Sequence, residues 1–362
     1  MSLNWIEISK DALIHNVNLI KEKAKGKRIL AVVKSNAYGH GLIQVAHVLK
    51  DHVDAFVVGD FEEAMELYEH SKNAKIIISL PPLNEKELLE TSKLDFHIFV
   101  GNLQYLNWLN SIKLDNPIKV HLEINTGMNR SGLSPEELLK ALEIIYDSKT
   151  LRLQGLFSHY ATLPENTKFA KIQAEKFKSI VEKIPQRENL LIHMENSSGI
   201  LKLLLDFTNS VRPGISLYGL IADETKEDNF KPVLSLYSTI IDILKIRKGE
   251  GVSYDHLFIA KKDMFVATIP FGYGNGYMWN LKGKAEIIAK GKKVPVIGKI
   301  CMNHIIFDAS EVIDYIKIGD KVTLIGRDGH EQITVEELAR KSGTINYEIV
   351  TKLSPKIKRI IV

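Results

Sequence analysis

Ala31-Val32-Val33-Lys34-Ser35-Asn36-Ala37-Tyr38-Gly39-His40-Gly41 is the stretch from which the rest of the chain can be read. An apolar run, Ile29 to Val33, ends on a lysine and passes directly into a small turn punctuated by glycine. Burying an unpaired ammonium is costly, so a lysine at the end of a buried strand needs a partner or a chemical task. It can snorkel, with its stem along apolar surface and its amine in water. It can also be an amine of lowered pKa that forms a Schiff base with an aldehyde cofactor. The lysine alone leaves both readings open.

Outward from this strand the pattern repeats. Apolar runs at 29–34, 55–59, 75–80, 95–100, 118–125, 151–158, 191–195 and 210–212 alternate with helical stretches. In residues 61–71, Phe61, Ala64, Met65 and Tyr68 share one helical face. Ser134-Pro135-Glu136-Glu137 is a helix start with a cap, a first-turn proline and a capping-box glutamate. Eight such units predict an α/β fold, a closed (β/α)8 barrel of the TIM type. Before the barrel, Trp5 to Ile8 reads as a short strand, and Ser9 caps a helix with Leu13, Val17 and Ile20 on one face.

Near residue 233 the rhythm changes. Leu234 to Ile246 alternates and is rich in β-branched residues, and strand-like runs follow at 264–270, 285–289, 294–300, 304–308 and 321–325. Gly291-Lys292 reads as a hairpin turn, and Thr334 with Glu337 as the start of a helix over 334–341. The expected organisation is a barrel over 1–232 and a mainly β domain over 233–362, with residues 1–8 a strand that could pair with the second domain.

Composition excludes several classes. Hydrophobic residues at 45% and charged residues at 25% of 362 positions are ordinary for a globular chain with a sizeable core. The net charge of +4 comes from scattered lysines without a basic block, which argues against a nucleic-acid partner. Cys301 is the only cysteine, so no intrachain disulfide can form and a reducing, cytoplasmic compartment is expected. Glu7, Lys10 and Asp11 interrupt any signal-peptide core, and no apolar run approaches membrane-spanning length. No metal is expected; the expected partners are a small-molecule substrate and a second copy of the chain.

The unusual polar residues fall at strand ends, where barrels carry their active residues. Lys34 ends the first strand, His159 the sixth, Asn196-Ser197 the seventh and Arg212-Pro213-Gly214 the eighth. A lone histidine is more often structural, but four coincidences with strand register favour one shared site. Barrels commonly bind phosphate after the seventh and eighth strands. Ser197-Ser198-Gly199 opens a helix whose free N–H groups suit a dianion, and Gly214 permits close backbone approach. Ser197 can equally be a plain helix cap, and both readings can hold together.

The 31–41 stretch, Asn125-Thr126-Gly127-Met128-Asn129-Arg130-Ser131-Gly132, Arg212-Pro213-Gly214-Ile215-Ser216-Leu217-Tyr218-Gly219 and Gly251-Val252-Ser253-Tyr254 together resemble the alanine racemase family of pyridoxal-phosphate enzymes. The resemblance implies a barrel followed by a β domain, a head-to-tail homodimer with shared active sites, and pyridoxal 5′-phosphate on Lys34. It implies two catalytic bases, with Tyr254 of the neighbouring subunit acting on the L-isomer and Lys34 on the D-isomer, supplying D-alanine for peptidoglycan. Tyrosine has a pKa of about 10, so it needs support as a base; His159 and Arg212 are the implied network. Tyr38, Asn196, Ser197, Gly214, Ile215 and Tyr347 would hold the cofactor. Tyr347, in Ile345-Asn346-Tyr347-Glu348-Ile349-Val350-Thr351, can also be a half-buried strand tyrosine. Arg212 would face the pyridine nitrogen. A guanidinium only donates, so that nitrogen would stay unprotonated and the ring a weaker electron sink, which suits reversible proton exchange and discourages transamination. Arg130 would orient the cofactor hydroxyl and the substrate carboxylate, the Met302 backbone would contact that carboxylate, and Tyr273 would line the entrance.

The chain also departs from the family pattern. Glu123 stands where many members carry a carbamylated lysine, and as a ready-made anion it is expected to orient Arg130. At the entrance, Asn275, Trp279 and Asn303 replace aspartate, arginine and aspartate, Lys299 replaces arginine, and Pro164 replaces aspartate. These changes bear on substrate choice, leaving open a racemase for serine, lysine or a wider range. A decarboxylase of the same barrel type is disfavoured by Arg212 and Tyr254, and a non-catalytic pyridoxal-phosphate carrier by Tyr254 and Met302.

Overall fold

The computed structural model describes residues 2–221 and 229–362. Its contacts divide the chain into two units, Leu13–Ala37 with Val45–Lys231, and Met1–Ala12 with Tyr38–Gln44 and Pro232–Val362.

The first unit is a closed barrel of parallel strands, Arg28–Val32, Ala55–Val58, Ile76–Ile78, His97–Val100, Ile118–Glu123, Leu151–Phe157, Leu191–His193 and Ser210–Val211. It closes where Arg28 and Ile29 pair with Ser210 and Val211. Every apolar run is present as a strand, but most strands stop short of the run. Lys34, His159, Asn196 and Arg212 therefore lie in the loops just past the strands rather than at their last residues. The helices between strands begin as their caps dictate. Ser134 and Glu137 form the capping box of Pro135–Asp147, with bonds of 3.2 and 2.9 Å. Asp60 caps Phe61–His70, whose fully buried face is Ala64 and Leu67; Phe61, Met65 and Tyr68 are half-buried. Inside the barrel, Leu30, Ala55, Val57, Ile77 and Leu191 form an apolar cluster against Val32 and Phe99, as barrel interiors are filled with side chains.

The second unit is built on a sheet that runs Asp242–Ile246, Met264–Ile269, Ile305–Asp308, Lys292–Ile297, Glu286–Ala289, Lys321–Asp328, Leu234–Thr239, Asn4–Ile8, Lys358–Ile361. Asn4–Ile8 is antiparallel to Leu234–Thr239 and parallel to Lys358–Ile361, so the first strand of the chain belongs to this sheet. The hairpin turn lies one residue earlier than expected. Lys290 and Gly291 take φ of 51° and 74°, the positive values a tight two-residue hairpin needs, and Lys292 opens the next strand. The run 234–246 is two strands rather than one, and the strand reading of Tyr347 is corrected to a helix, Asn346–Thr351. Gly39, at φ 79°, belongs to this unit and passes so close to helix Asn346–Thr351 that a Cβ would lie 1.9 Å from the Val350 carbonyl. Arg359 donates to the Gly39 carbonyl through Nε and NH2 at 3.0 and 2.9 Å. Among the described residues no helix is long and apolar enough to cross a membrane.

Candidate active site

Past the first barrel strand the backbone turns left-handed. Ser35, Asn36, Ala37 and Tyr38 have φ of 53°, 54°, 52° and 52°. Left-handed helical backbone costs about 1–2 kcal/mol per non-glycine residue, so this turn stores strain of several kcal/mol. In the barrel unit Glu63 offsets part of it. Its Oε1 accepts from the Asn36 N–H at 2.7 Å and its Oε2 from the Gly59 N–H at 2.8 Å. The strained turn begins directly after Lys34, so it sets the direction in which that side chain leaves the strand. Lys34 is exposed to solvent. Partial burial lowers its pKa, Arg130 and Arg212 add to the effect, and Glu63 opposes it.

Arg212 is buried just past the eighth strand, near enough to act electrostatically on this amine. Its NH1 donates to the His193 carbonyl at 3.0 Å and to the Nδ1 of the same residue. Its NH2 donates to the Ser158 carbonyl at 2.7 Å and to His159 Nδ1 at 3.3 Å, and the guanidinium lies 5.1 Å from the Phe157 ring centroid. Burial brings Arg212 down to about 10, with Glu123 and Glu195 opposing, so it stays charged at neutral pH. Burial, with Arg212, Arg130 and Lys34 nearby, brings His159 to about 3. His159 is therefore neutral. Because Arg212 occupies its Nδ1 as a donor, its proton is on Nε2.

At the seventh strand, Asn196 and not Ser197 is the helix cap, accepting from the Gly199 N–H at 2.9 Å. Ser197 Oγ instead accepts from the N–H groups of Gly214 and Ser216 at 3.1 and 3.2 Å and meets Ser216 Oγ at 2.9 Å. Two backbone donors and two hydroxyls thus converge beside Ile215, itself buried. Glu123 is buried and accepts from Ser131 Oγ, whereas Arg130 is exposed. Among the described residues no ion pair joins Glu123 to Arg130; the carboxylate supports Ser131 and the charge of Arg212.

The remaining expected residues lie in the β unit. Tyr254, Tyr273 and Met302 are 69%, 45% and 58% exposed. Their loops form one patch: Ser253 Oγ donates to the Lys299 carbonyl at 2.9 Å, and the N–H groups of Tyr273 and Gly274 donate to the carbonyls of Cys301 and Met302 at 3.1 and 2.8 Å. Gly272 is required there, since a Cβ would lie 2.2 Å from the Cys301 carbonyl oxygen. Lys299 pairs with Asp255, and Asn275 accepts from the Gly272 N–H at 3.1 Å. In the same unit the rings of Tyr38 and Tyr347 lie 5.9 Å apart, and burial with Tyr347 nearby raises the Tyr38 pKa. Glu63, His121, His193 and Glu195 carry weight without a motif to announce them; His121, His193 and Glu195 are polar residues within apolar runs, and Glu63 has no such signal in the sequence.

The alanine racemase N-terminal domain model matches residues 8–222, and the C-terminal domain model matches residues 233–361. The chain belongs to the alanine racemase family. An alanine racemase of Clostridium novyi is 34% identical over 372 residues, covering 99% of this chain and 95% of that protein. Alanine racemase 1 of Bacillus subtilis is 34% identical over 366 residues, covering 98% and 92%. Among solved structures, the alanine racemase of Clostridium difficile 630 superimposes with a TM-score of 0.92 at 30% identity, covering 100% of this chain and 96% of that one. An alanine racemase from Bacillus anthracis with bound L-Ala-P gives 0.91 at 30% identity, covering 100% and 95%.

Proposed function

We propose that this chain interconverts L-alanine and D-alanine with pyridoxal 5′-phosphate, in a homodimer with shared sites, and supplies D-alanine for peptidoglycan in the cytoplasm. The observation that carries the reading is the barrel rim, where a lysine of lowered pKa stands near a buried arginine that can only donate hydrogen bonds. The donor set fits the cofactor. Ser197 Oγ collects the N–H groups of Gly214 and Ser216 and the Ser216 hydroxyl, which leaves its own O–H to donate to a phosphate dianion, with Asn196 and Ile215 shaping that loop and Tyr38 and Tyr347 as the further proposed phosphate contacts. Held by Lys34, the cofactor supplies an electron-withdrawing ring that acidifies the α-C–H of a bound amino acid.

The chain's own residues divide the rest of the work. Arg212 occupies its site as a donor and delivers no proton to a ring nitrogen facing it. Lys34, neutral in a larger fraction than an ordinary lysine, takes or returns the α-proton on one face. Tyr254 of a second copy does so on the other face. The Nε2–H of His159 is the donor available to a tyrosine oxygen bearing negative charge, and Arg212 behind it supplies positive potential. Arg130, exposed at the rim, is free to meet a substrate carboxylate, and the Met302 backbone meets it from the partner side. Tyr273, exposed in its loop, would line the entrance. Chiral chromatography of purified protein with pyridoxal phosphate and L-alanine, L-serine, L-lysine or L-glutamate tests the reading. Conversion of alanine before the others is expected; preference for a larger amino acid reassigns the substrate, and no conversion of any of them overturns the assignment.

A further inference from the structure

Arg212 has a second set of neighbours that the proposed reaction does not use. His193 Nε2 lies 2.9 Å from His121 Nδ1, and His121 Nε2 lies 3.0 Å from His97 Nδ1. These histidines belong to the seventh, fifth and fourth barrel strands, and with Arg212, just past the eighth, they form one continuous row. The sixth strand would interrupt it but for Gly155, where a Cβ would lie 2.3 Å from His121 Nδ1. Aromatic rings enclose the row: Phe157 stacks on His193 at 5.2 Å and 7°, and Phe99 lies 5.7 and 5.9 Å from His121 and His193.

We propose that His97, His121 and His193 are positioning residues that hold the Arg212 guanidinium through a one-directional chain of neutral imidazoles. The direction follows from the donor at its head. Arg212 NH1 can only donate, so His193 Nδ1 accepts, and a neutral His193 carries its proton on Nε2. That proton is given to His121 Nδ1, which puts the His121 proton on Nε2, and His97 Nδ1 accepts in turn. A single constraint sets all three tautomers. Burial keeps the row neutral: it lowers His193 and His121 well below the usual histidine value, with Arg212 adding to both, and brings His97 to about 4. A proton added to any member would turn an acceptor into a donor and break a link.

The arrangement gives Arg212 lone pairs aimed at its positive charge without a hydrogen-bonded carboxylate beside it. Its carbonyl and imidazole partners surround the fork, so the guanidinium is fixed in place. The row does not conduct protons to the site, because its head is a guanidinium that keeps its own. The proposal rests on the racemase reading only in treating Arg212 as the residue facing the cofactor ring.

Nitrogen NMR of the full-length protein with 15N-labelled histidine tests the tautomers before any cofactor is added. His97, His121 and His193 are expected to carry the proton on Nε2 at neutral pH; a proton on Nδ1 of any of the three overturns the proposal. His97→Leu should shift the His121 and His193 resonances and, with cofactor, lower kcat by about tenfold, the effect of one lost hydrogen bond, at nearly unchanged KM. His97→Gln, whose side-chain oxygen can accept from His121 Nε2–H, should restore both. Resonances indifferent to His97→Leu, or a Gln variant no better than Leu, would also overturn it. Expected tautomers in a protein that racemises no amino acid would sink the racemase reading and leave this one standing.

Discussion

Lys34 and Tyr254, assigned to opposite faces of one carbon, sit in contrasting surroundings. Lys34 precedes a strained turn that Glu63 clamps through the Asn36 N–H while also accepting from Gly59, and partial burial together with Arg130 and Arg212 lowers its pKa. Tyr254 is 69% exposed, makes no side-chain hydrogen bond among the described residues, and follows Ser253 and precedes Asp255 and His256, all at positive φ. Leu257 and Ile259 beside it are 52% and 56% exposed, an apolar surface of the kind partners cover. The contrast teaches that the Lys34 surroundings are completed within their own unit, whereas those of Tyr254 are shaped but uncovered. A second copy of the chain is the occupant that the racemase reading requires.

Substitutions can break that comparison at either side. The largest effect is expected for Lys34→Ala, which should reduce racemisation by about 10³-fold or more and leave no cofactor attached after borohydride reduction and mass spectrometry. Tyr254→Phe should cost roughly 10²–10⁴-fold in rate yet change unfolding free energy by under about 0.5 kcal/mol, as exposed positions do. The barrel side should respond in stability instead. Glu195 is fully buried and paired with Lys27 at 3.0 Å, with Thr208 and the Leu205 N–H as further donors. Lys27→Met leaves that carboxylate unpaired and should cost about 3–5 kcal/mol in urea unfolding.

How far the sequence foretold this contrast depends on where each feature's cause lies. The barrel strands were legible because parallel strands covered on both faces are continuous apolar runs, and the residues following them stood out as polar. The left-handed turn was not. Asn36 tolerates such backbone, but Ser35, Ala37 and Tyr38 carry no mark of it, and its hydrogen-bond acceptor, Glu63, is 27 residues away. The imidazole row needs strand register before three scattered histidines become one feature. Lys358–Ile361 is short and begins with two basic residues, so only its partner Asn4–Ile8 reveals it as a strand. Glu123 stands out in the sequence as an anion where many family members carry a carbamylated lysine, but its bond to Ser131 rather than Arg130 is a matter of side-chain direction.

Two finer tests sharpen the barrel side. Glu63→Ala should speed amide hydrogen exchange at Asn36 and Gly59 by roughly 10- to 100-fold, as two backbone donors lose a carboxylate. Arg130→Gln removes the largest electrostatic contribution that lowers Lys34, so the pH midpoint for its reaction with an amine reagent should move upward toward the ordinary lysine value. A midpoint that falls or stays fixed would show that Arg130 does not act on this amine.

The most direct measurement is co-expression of Lys34→Ala with Tyr254→Phe, each inactive alone. In a dimer with shared sites, a mixed pair holds one site with both lesions and one with neither, so random pairing should restore about a quarter of the wild-type rate. Activity no greater than that of the separate variants, in material shown by mass to contain mixed dimers, would contradict a site completed by the second copy.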